Sequence, residues 1–545
     1  MPARTQTYRV LRRINTIILG ENNMMHKKNG MSSIATAVKL LAATIAVGVI
    51  GTASAAPDTT RVIVAFKPGS AASVKAAVKA ARGDVKHEIF GMDAMAIEVP
   101  SVALQGLSHN PNVSYVEEDL IRRPTALTSP SAAPYLTGQL VPYGIKMVQA
   151  DLLSDANAGN RKICIIDSGV DRAHEDLVGN AANMTGDNDA GTGNWFTDEN
   201  HHGTHVSGTI AAVNNNGVGV VGVNSNAKIK LHYIKVFNAA GWAYSSTLAT
   251  AANKCGAAGA NVISMSLGGG GSNRTEQRAF DALQTKGVLS IAAAGNDGNT
   301  VISYPAGYSS VMMVAALDEN KAWATFSQYN AKVEIAGPGV SVLSSVPTNS
   351  GSAPSLVVGA TTYAPGAMDG APVKSATAPL ADFGIGDVTN SAMAGKVCLI
   401  ARGTIDFATK VGNCQTSGGV GAVVYNNAAG GFTGTVGTTT TIPSVSASDT
   451  EGAAMKGQLG QSATVAVKPY SYAYFDGTSM ATPHVSAVAA LVWSYFPSCT
   501  GAQIRASLTK SALDLGTAGR DVYYGFGLVQ AKAAKDRITS LGCGN

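Results

Sequence analysis

Residues 162–171 read KICIIDSGVD, a run of apolar side chains that ends at an aspartate and a glycine. An apolar run without polar alternation is typical of a strand that is buried on both faces. Similar runs recur at residues 228–237, 261–268, 287–295 and 311–317, with helical patterns such as STLATAANKCGAAG between them. This alternation predicts an α/β fold, in which a parallel sheet carries helices on both faces.

Residues 61–119 carry a different pattern. The strand patterns RVIVAF, VKHEIF, AMAIEVP and VSYVEED alternate with two helical patterns in the order βαββαβ, which predicts a ferredoxin-like α+β unit. The stretch RRPTALTSPSAAP, residues 122–134, follows this unit. Because it is polar and rich in proline, we expect an exposed, extended linker that is open to cleavage.

Residues 347–469 interrupt the α/β pattern with sequence rich in Thr, Ser, Gly and Ala. The strand patterns KVCLIARG and GAVVYNN flank the helical pattern DFATKVGNCQTSG, which predicts an inserted, β-rich domain. The first architecture resumes near Ser479. The expected organisation is a leader over 1–55, the α+β unit over 56–124, a main domain over 125–346 and 470–545, and the insert over 347–469.

The composition is that of a globular protein with few charges. Hydrophobic residues make up 45% of the 545 residues, charged residues 14%, and the formal net charge is +5. A chain of this length is expected to form several domains. No cluster of Lys and Arg interleaves with aromatic residues, so a nucleic-acid partner is not expected.

The first 55 residues have the features of an export leader. Basic residues lie at 26–28, an apolar run too short to span a bilayer lies at 40–51, and small residues suited to signal peptidase lie at 53–55. The alternative is a short anchor helix. Translation could begin at Met24, Met25 or Met31. We expect a secreted mature protein without a membrane span.

Export permits disulfides, and the chain has six cysteines. Their spacing favours two pairs, Cys398–Cys414 and Cys499–Cys543. Cys164 lies in an apolar run and is expected either to be a free core thiol or to pair with Cys255. No pair has zinc-ligand spacing with histidines, so a thiolate-bound metal is not expected.

Three polar residues lie where catalytic groups assemble. Asp167 ends a buried strand, at the edge where parallel sheets form their sites. His202 and Ser479 begin helical patterns in NHHGTHVSGTIAA and DGTSMATPHVS, although His201 and His205 compete with His202 for any role. A serine becomes a nucleophile when a base takes its proton, and a carboxylate must orient that base. A strand-end Asp or a helix-start Ser is usually a structural cap, so the specific signal is their joint occurrence.

The segments DSG, HGTHVSGT and GTSMATPH, in this order, resemble the subtilisin-like serine proteases, or subtilases. The segments SMSLGG, AAAGNDG, YPAGY and FSQYN fit the same family, and the resemblance covers residues 139–346 and 470–535. It implies a serine endopeptidase in which Asp167 orients the base His202. Ser479 would form an acyl-enzyme, and Asn296 would donate a hydrogen bond to the oxyanion.

The sequence around Ser479 suits a nucleophile at a helix start. Gly477 is expected to allow a tight turn, after which Ser479 presents its oxygen where backbone N–H groups point at developing negative charge. Pro483 is expected in the first turn, where its missing N–H costs least.

The resemblance also implies substrate contacts. An edge segment would pair with an extended peptide substrate, and a neighbouring loop would form the main specificity pocket. The expected residues are Ser266, Leu267 and Gly268 on the edge, and Ala293, Ala294, Gly295 and Ser303 around the pocket. Asp297 is either a rim residue that attracts basic side chains or an ordinary solvated carboxylate.

Members of this family often hold calcium, and the resemblance implies a site here. Side-chain oxygens would come from Gln139, Asp176 and Asn215, and backbone carbonyls from Val213, Val218 and Val220. The loop 213–223 is one residue longer than the commonest form, so the choice of carbonyls stays open. GDNDAG, residues 186–191, is either a second ion site or a polar surface turn.

The extra domains have counterparts in the same family. The 61–119 unit resembles the subtilase propeptide, which assists folding and then plugs the active site, and the insert resembles a protease-associated domain. We expect a monomeric, calcium-supported endopeptidase that acts on proteins and peptides and is made as a self-processing zymogen. The alternatives are a binding protein on an inactive protease scaffold, against which the four catalytic residues argue, and an esterase of another fold, whose G-x-S-x-G motif is missing around Ser479.

Overall fold

The structure is a computed structural model that describes residues 58–132 and 138–545. The leader predicted over 1–55 and linker residues 133–137 lie outside the described residues. Within the described ranges, no helix has both the length and the apolar composition that a bilayer crossing requires.

The α+β unit lies at the start of the described chain. Its elements are β1 (Thr59–Phe66), α1 (Ala71–Ala80), β2 (Asp84–Glu88), β3 (Ala94–Pro100), α2 (Leu104–Ser108) and β4 (Val113–Glu118). The strands pair in the order β2-β3-β1-β4, and β1 is antiparallel to both of its neighbours. Apolar side chains of both helices are buried against the sheet. The βαββαβ prediction is confirmed.

Strand β5 (Ile121–Pro124) ends the α+β unit, and the main domain follows. The first part of the main domain comprises β6 (Leu127–Ala132), α3 (Tyr143–Met147), β7 (Lys162–Asp167), β8 (Met184–Asn188), α4 (His202–Ala211), β9 (Lys230–Lys235), β10 (Ala243–Tyr244), α5 (Ser245–Ala257), β11 (Val262–Met265), β12 (Leu267–Gly268), α6 (Arg274–Thr285), β13 (Leu289–Ala293), β14 (Val311–Leu317), β15 (Val333–Pro338) and β16 (Val342–Ser345). Seven of these strands form a parallel sheet in the order β15-β14-β13-β11-β7-β9-β8. The predicted α/β class with a parallel sheet is confirmed.

The insert has a sheet of its own. Its elements are β17 (Gly351–Val358), β18 (Thr361–Tyr363), β19 (Met368–Asp369), β20 (Ser375–Asp382), β21 (Val397–Ala401), α7 (Phe407–Thr416), β22 (Gly421–Tyr425), β23 (Gly434–Thr435), β24 (Ser444–Ala447), α8 (Asp449–Lys456) and β25 (Ser462–Tyr470). The first and last long strands, β17 and β25, pair antiparallel over their whole common length. The chain therefore enters and leaves the insert on neighbouring strands.

The chain then returns to the main domain through β26 (Tyr472–Asp476), α9 (Thr478–Tyr495), α10 (Gly501–Lys510) and α11 (Ala531–Leu541). β26 pairs antiparallel with β16, which directly precedes the insert. Helix α9 is buried along almost its whole length and contacts α4 and the parallel strands. Small side chains on α9 allow this close packing.

The expectation for Pro483 is wrong. Helix α9 begins at Thr478, so Pro483 lies in its second turn. There the missing N–H leaves the carbonyl of Ser479 without its usual helical donor. The Ser266 hydroxyl takes that role, with its Oγ 2.8 Å from the carbonyl oxygen of Ser479.

All six cysteines form disulfides. The pairs Cys398–Cys414 and Cys499–Cys543 are those predicted from spacing. Of the two alternatives for Cys164, the structure selects the pair with Cys255, which joins β7 to α5. A link that closes so long a loop stabilises the fold by about 4–5 kcal/mol in the chain-entropy account.

Candidate active site

Asp167 ends β7 and His202 begins α4, and their side chains meet at the carboxyl edge of the sheet. Nδ1 of His202 lies 2.7 Å from Oδ1 of Asp167, and both side chains are 1% exposed. Nε2 of His202 is buried and has no hydrogen-bond partner among the residues that the structure describes. The carboxylate thus orients the imidazole, whose second nitrogen can accept a proton.

The start of α4 is held by Asp198, which the sequence analysis missed. Its Oδ2 accepts hydrogen bonds from the N–H and the hydroxyl of Thr204, at 2.8 and 2.7 Å. Its Oδ1 accepts from Oγ of Ser168 at 2.8 Å, and this hydroxyl in turn accepts from the N–H of Gly203 at 2.9 Å. Burial raises the pKa of the Asp198 carboxyl, against the hydrogen bonds that favour its charged form. This network fixes the backbone that carries His202.

Ser479 is the second residue of α9, directly after a turn at Gly477. Gly477 has φ of +152°, and a Cβ there would lie 2.5 Å from the carbonyl oxygen of Thr125. Glycine is therefore needed for this close approach. The Ser479 hydroxyl donates to the carbonyl of Ser266 at 3.1 Å and lies 2.8 Å from Oγ1 of Thr125. Ser479 makes no hydrogen bond to Nε2 of His202. A hydrogen bond between nucleophile and base commonly forms only on the way to reaction.

The carbonyl oxygen of Thr125 lies between two donors. Nδ2 of Asn296 is 2.5 Å from it, and the backbone nitrogen of Ser479 is 3.3 Å from it. The N–H and hydroxyl of Thr478 donate to Oδ1 of Asn296 at 2.9 and 2.8 Å, which sets the orientation of the amide. Two donors on one carbonyl oxygen beside a serine hydroxyl have the geometry of an oxyanion hole.

The residues before Thr125 form strand β5, which lies in a groove between β10 and β12. We call this groove the cleft. β5 is the middle strand of a three-stranded antiparallel sheet, between β10 and β12. In this pairing Leu267 and Gly268 lie opposite Pro124 and Arg123. The carbonyl of Ser266 accepts from the N–H of Thr125 at 3.2 Å. The three residues expected on a peptide-pairing edge are thus paired with the protein's own chain.

The first residues of the predicted linker are extended, and Arg123 is exposed as expected. The expectation of exposure is wrong for Arg122, which is fully buried, with its Nη2 2.7 Å from Oε2 of Glu276. The reason is strand pairing on both sides together with this ion pair, neither of which is visible in the local composition.

A cavity of about 350 Å³ opens beside Thr125. Of the four residues expected around the pocket, Gly295 and Ser303 line the cavity. Ala293 and Ala294 are fully buried at the end of β13 and just after it. These two residues therefore support the wall rather than form its surface.

Gln328 is a further lining residue, which the sequence analysis missed. Gly295 has φ of +106°, which favours glycine, and a Cβ there would lie 1.5 Å from Oε1 of Gln328. Nε2 of Gln328 donates to the carbonyl of Val301 at 2.5 Å, which anchors the amide. Asp297 is exposed and also lines the cavity, in agreement with the rim position.

Oxygen atoms converge around Gln139. Its Nε2 lies 2.8 Å from the carbonyl oxygen of Val213, 3.4 Å from that of Val220 and 2.7 Å from Oδ1 of Asn216. Asp176 accepts from Nδ2 of Asn216 and from the N–H of Val220, each at 2.7 Å. Burial raises the pKa of the Asp176 carboxyl, so a nearby cation would stabilise its charged form.

The loop differs in detail from the expectation. Asn216, rather than Asn215, brings its side chain into the cluster, and Asn215 contributes its backbone N–H to Oε1 of Gln139 at 2.8 Å. Val218 contributes its N–H, which donates to Oδ1 of Asn216 at 3.2 Å. The side chain that joins the cluster is thus one position later than expected.

The second candidate ion site, residues 186–191, has the features of the polar alternative. Its first three residues lie in the edge strand β8, and Asp187 forms an ion pair with Lys254 at 2.6 Å. Over residues 58–132 and 138–545, no cluster of three or more His, Cys, Asp or Glu side chains could hold a metal ion.

Two further histidines are structural. Nε2 of His205 lies 3.0 Å from the carbonyl oxygen of Val342, and Nδ1 of His484 lies 2.8 Å from that of Met480. Burial lowers the pKa of His205 to about 3 and that of His484 to about 4. Both rings therefore stay neutral in the folded protein, whereas they take up protons in the unfolded chain below about pH 6.5.

This difference predicts a loss of stability in acid. Each histidine contributes stability that is present above pH 6.5 and decreases as the pH falls toward the folded-state pKa. In a Ser479→Ala background, which prevents self-digestion, the free energy of unfolding should fall between pH 6 and 5. His484→Gln should reduce that fall by about 1 kcal/mol. Urea unfolding at both pH values measures this, and an identical fall in the two proteins would contradict the expected role of His484.

Two sequence families match the chain. The model of the subtilase family matches residues 159–381 and 412–527, and that of the PA domain matches residues 356–455. Subtilisin DY of Bacillus licheniformis is 40% identical over 39% of this chain and 77% of its own length. An alkaline protease of Alkalihalobacillus alcalophilus is 35% identical over 48% of this chain, which spans 65% of that relative.

Two solved structures are similar to this chain. The psychrophilic subtilisin-like protease Apa1 of the Antarctic Pseudoalteromonas sp. AS-11 is 45% identical and superposes with a TM-score of 0.59, over 75% of this chain and 100% of that one. Fervidolysin of Fervidobacterium pennivorans, a keratinolytic enzyme, has a TM-score of 0.57 over 88% of this chain and 61% of that one. Its 23% identity supports the fold alone.

Proposed function

The chain belongs to the subtilase family of serine endopeptidases, and from this premise we propose that it is a secreted enzyme made as a precursor that cuts itself between Thr125 and Ala126. One observation carries the proposal. The carbonyl oxygen of Thr125 lies within hydrogen-bond distance of Asn296 Nδ2 and of the backbone N–H of Ser479. A peptide carbonyl so placed beside a serine is positioned for acyl transfer.

The proposed chemistry begins with Nε2 of His202, which takes the hydroxyl proton of Ser479. The serine oxygen then attacks the carbonyl carbon of Thr125, and the negative charge that develops on its oxygen is stabilised by the two donors. Asp167 keeps the imidazole oriented and stabilises its cation. His202 returns the proton to the nitrogen of Ala126 as the peptide bond breaks, and water then hydrolyses the acyl-enzyme.

The α+β unit is suited to act as an intramolecular inhibitor. Beyond its strand in the cleft, Glu117 accepts from the N–H groups of Arg274 and Thr275, each at 2.8 Å, at the start of α6. Asp119 accepts from the N–H of Ser246 at 2.9 Å, at the start of α5. Carboxylates at helix N-termini satisfy free N–H groups and complement the helix dipole. The unit thereby holds two helices of the main domain as well as its cleft.

We further propose that the enzyme is exported and monomeric. The leader pattern over 1–55 and the three disulfides fit an oxidising compartment. The insert would control access or bind protein substrates, while the chemistry stays in the main domain. Size-exclusion chromatography with light scattering measures the expected monomer, and a stable dimer would contradict it.

Labelling with a fluorophosphonate tests the enzymatic activity itself. The processed protein should be labelled on Ser479 and should hydrolyse casein, whereas Ser479→Ala should do neither. A correctly folded processed protein that is neither labelled nor active would favour the inactive binding scaffold.

We also propose that calcium binds at the cluster around Gln139. The position of Gln139 Nε2, surrounded by three oxygen atoms, suits an oxygen-ligated cation, since rotating the amide would add Oε1 to the same group. Gln139, Asp176, Asn216 and the carbonyls of Val213 and Val220 would hold the ion. Calcium would contribute to stability there and takes no part in the chemistry.

Removal of calcium should lower the thermal unfolding midpoint. A ligand that binds the folded state alone stabilises it by about 2.7 kcal/mol at a hundred times its dissociation constant. Asp176→Asn should reproduce most of the loss and should respond little to added calcium. Asp187→Asn is the matched control, because Asp187 is paired with Lys254, and it should keep the response of the parent. Circular dichroism melts, with and without chelator, measure this. A parent from which elemental analysis shows calcium removed, but whose midpoint is unchanged, would contradict the proposal.

A further inference from the structure

Arg122 is the fourth residue before the bond between Thr125 and Ala126, and among the described residues it is the largest side chain that is fully buried. A guanidinium carries five N–H donors in a rigid planar arrangement. Each of them has an acceptor here. The five distances are Nε to Glu276 Oε1 3.0 Å, Nη2 to Glu276 Oε2 2.7 Å, Nη2 to Gly271 O 3.2 Å, Nη1 to Gly270 O 3.3 Å and Nη1 to Ile121 O 3.2 Å.

Four of these five acceptors belong to the main domain, and we call the group of Gly270, Gly271 and Glu276 the guanidinium socket. The glycine run at 268–271 makes the approach possible. A Cβ at Gly269 would lie 2.6 Å from the carbonyl oxygen of Ile121 and 3.5 Å from Nη1 of Arg122. A lysine ammonium has three donors around a single nitrogen, so it cannot reach the same set of acceptors.

The carboxylate of Glu276 binds Arg122 and does not cap its own helix. Asn273 caps α6, and Glu276 is the third residue of the helix, from which a glutamate can reach back to the N–H of the cap. That N–H instead donates to the hydroxyl oxygen of Tyr308 at 2.8 Å. The Tyr308 hydroxyl lies 2.7 Å from Oε2 of Glu276. Burial and the charge of Glu276 raise the pKa of Tyr308, so its hydroxyl stays a neutral donor.

Release of the α+β unit after cleavage at Thr125 would separate Arg122 from Glu276, and Arg122 is the one ionic partner of Glu276 in the described residues. A carboxylate placed among apolar and backbone groups is costly unless a cation pairs with it. We propose that the mature enzyme selects protein substrates with arginine at the fourth residue before the scissile bond, through the guanidinium socket. This inference rests on the proposed cleavage between Thr125 and Ala126. If the pair served solely to hold the α+β unit, substrates would show no such preference.

The test uses mature enzyme from the self-processed full chain. Its substrates are acetyl-Xaa-Arg-Pro-Thr-p-nitroanilides, in which Xaa is arginine, lysine, leucine or citrulline, the neutral analogue of arginine. We expect kcat/KM for arginine to exceed that for citrulline and leucine by at least about tenfold, because the neutral residues leave the buried carboxylate unpaired. Lysine should fall between them. Equal kcat/KM for arginine and citrulline would overturn the inference.

Glu276→Gln keeps the shape of the socket and removes its charge, so the ratio of arginine to citrulline should fall to near one. Glu334→Gln is the matched control, because Glu334 pairs with Arg505 outside the socket, and it should keep the ratio of the parent. A Glu276→Gln enzyme with the parent's ratio would also overturn the inference. Should this variant fail to mature, the substrate series on the parent still decides. A parent that cleaves none of the peptides or casein would instead refute the proposed function.

Discussion

Ser479→Ala is expected to accumulate as an uncut precursor, and the parent should begin at Ala126. The variant lacks the oxygen that attacks the carbonyl carbon of Thr125, but its helix start and its packing remain. In a subtilisin, loss of this serine lowers kcat by about 10⁶-fold, and we expect a loss of that order here. Intact mass and N-terminal sequencing of both proteins, made in a host without other extracellular proteases, measure the outcome.

Ser486→Ala provides the matched control for this prediction. Ser486 is a buried serine on the same helix, away from the carbonyl of Thr125, and its replacement should leave maturation unchanged. If the Ser479→Ala protein is still cut in residues 122–134, another protease processes the precursor. If the parent starts at a residue other than Ala126, the chain moves in the cleft before it is cut.

Asn296→Ala should lower kcat by about 10²–10³-fold with little change in KM, the effect known for the equivalent asparagine in subtilisin. The donor at Nδ2 acts mainly on the negative oxygen of the tetrahedral intermediate, so the loss falls on the chemical step rather than on substrate binding. The same variant should mature slowly, since its precursor depends on the same donor. Steady-state kinetics on a peptide nitroanilide, together with a time course of precursor processing, measure both effects.

Asn320→Ala is the control for Asn296, because this residue lies in an exposed turn of the same domain. It should keep both the kcat and the maturation rate of the parent. An Asn296→Ala enzyme with an unchanged kcat would exclude Asn296 from the oxyanion hole. The backbone N–H of Ser479 would then carry the stabilisation alone.

The sequence was most informative for polar residues that lie at the ends of apolar strands and helices. Asp167 after its strand and His202 and Ser479 at their helix starts could be paired from motif and order. The structure places Asp167 2.7 Å from His202. The parallel sheet and the βαββαβ unit could also be predicted, because hydrophobic periodicity is a local property.

The features that could not be predicted depend on distant partners. The burial of Arg122 requires Glu276, which lies 154 positions further along the chain. Gln328 lies in the segment FSQYN, which fits the family but does not by itself place this side chain in the pocket. Asn216 rather than Asn215 contacts Gln139 and Asp176, because the path of the loop sets which side chain reaches them. Local composition describes Arg122 correctly as extended and wrongly as exposed, because exposure is set by what packs against it.

The attachment of the insert has a consequence for inheritance. Ser345 lies opposite Tyr472 just before the insert, and Gly351 lies opposite Tyr470 at its base. The points at which the chain enters and leaves the insert are therefore adjacent. A gene could gain or lose the whole segment in one recombination event, and a short turn could then join β16 directly to β26. Selection could therefore exchange this segment between lineages while the catalytic sequence evolves separately.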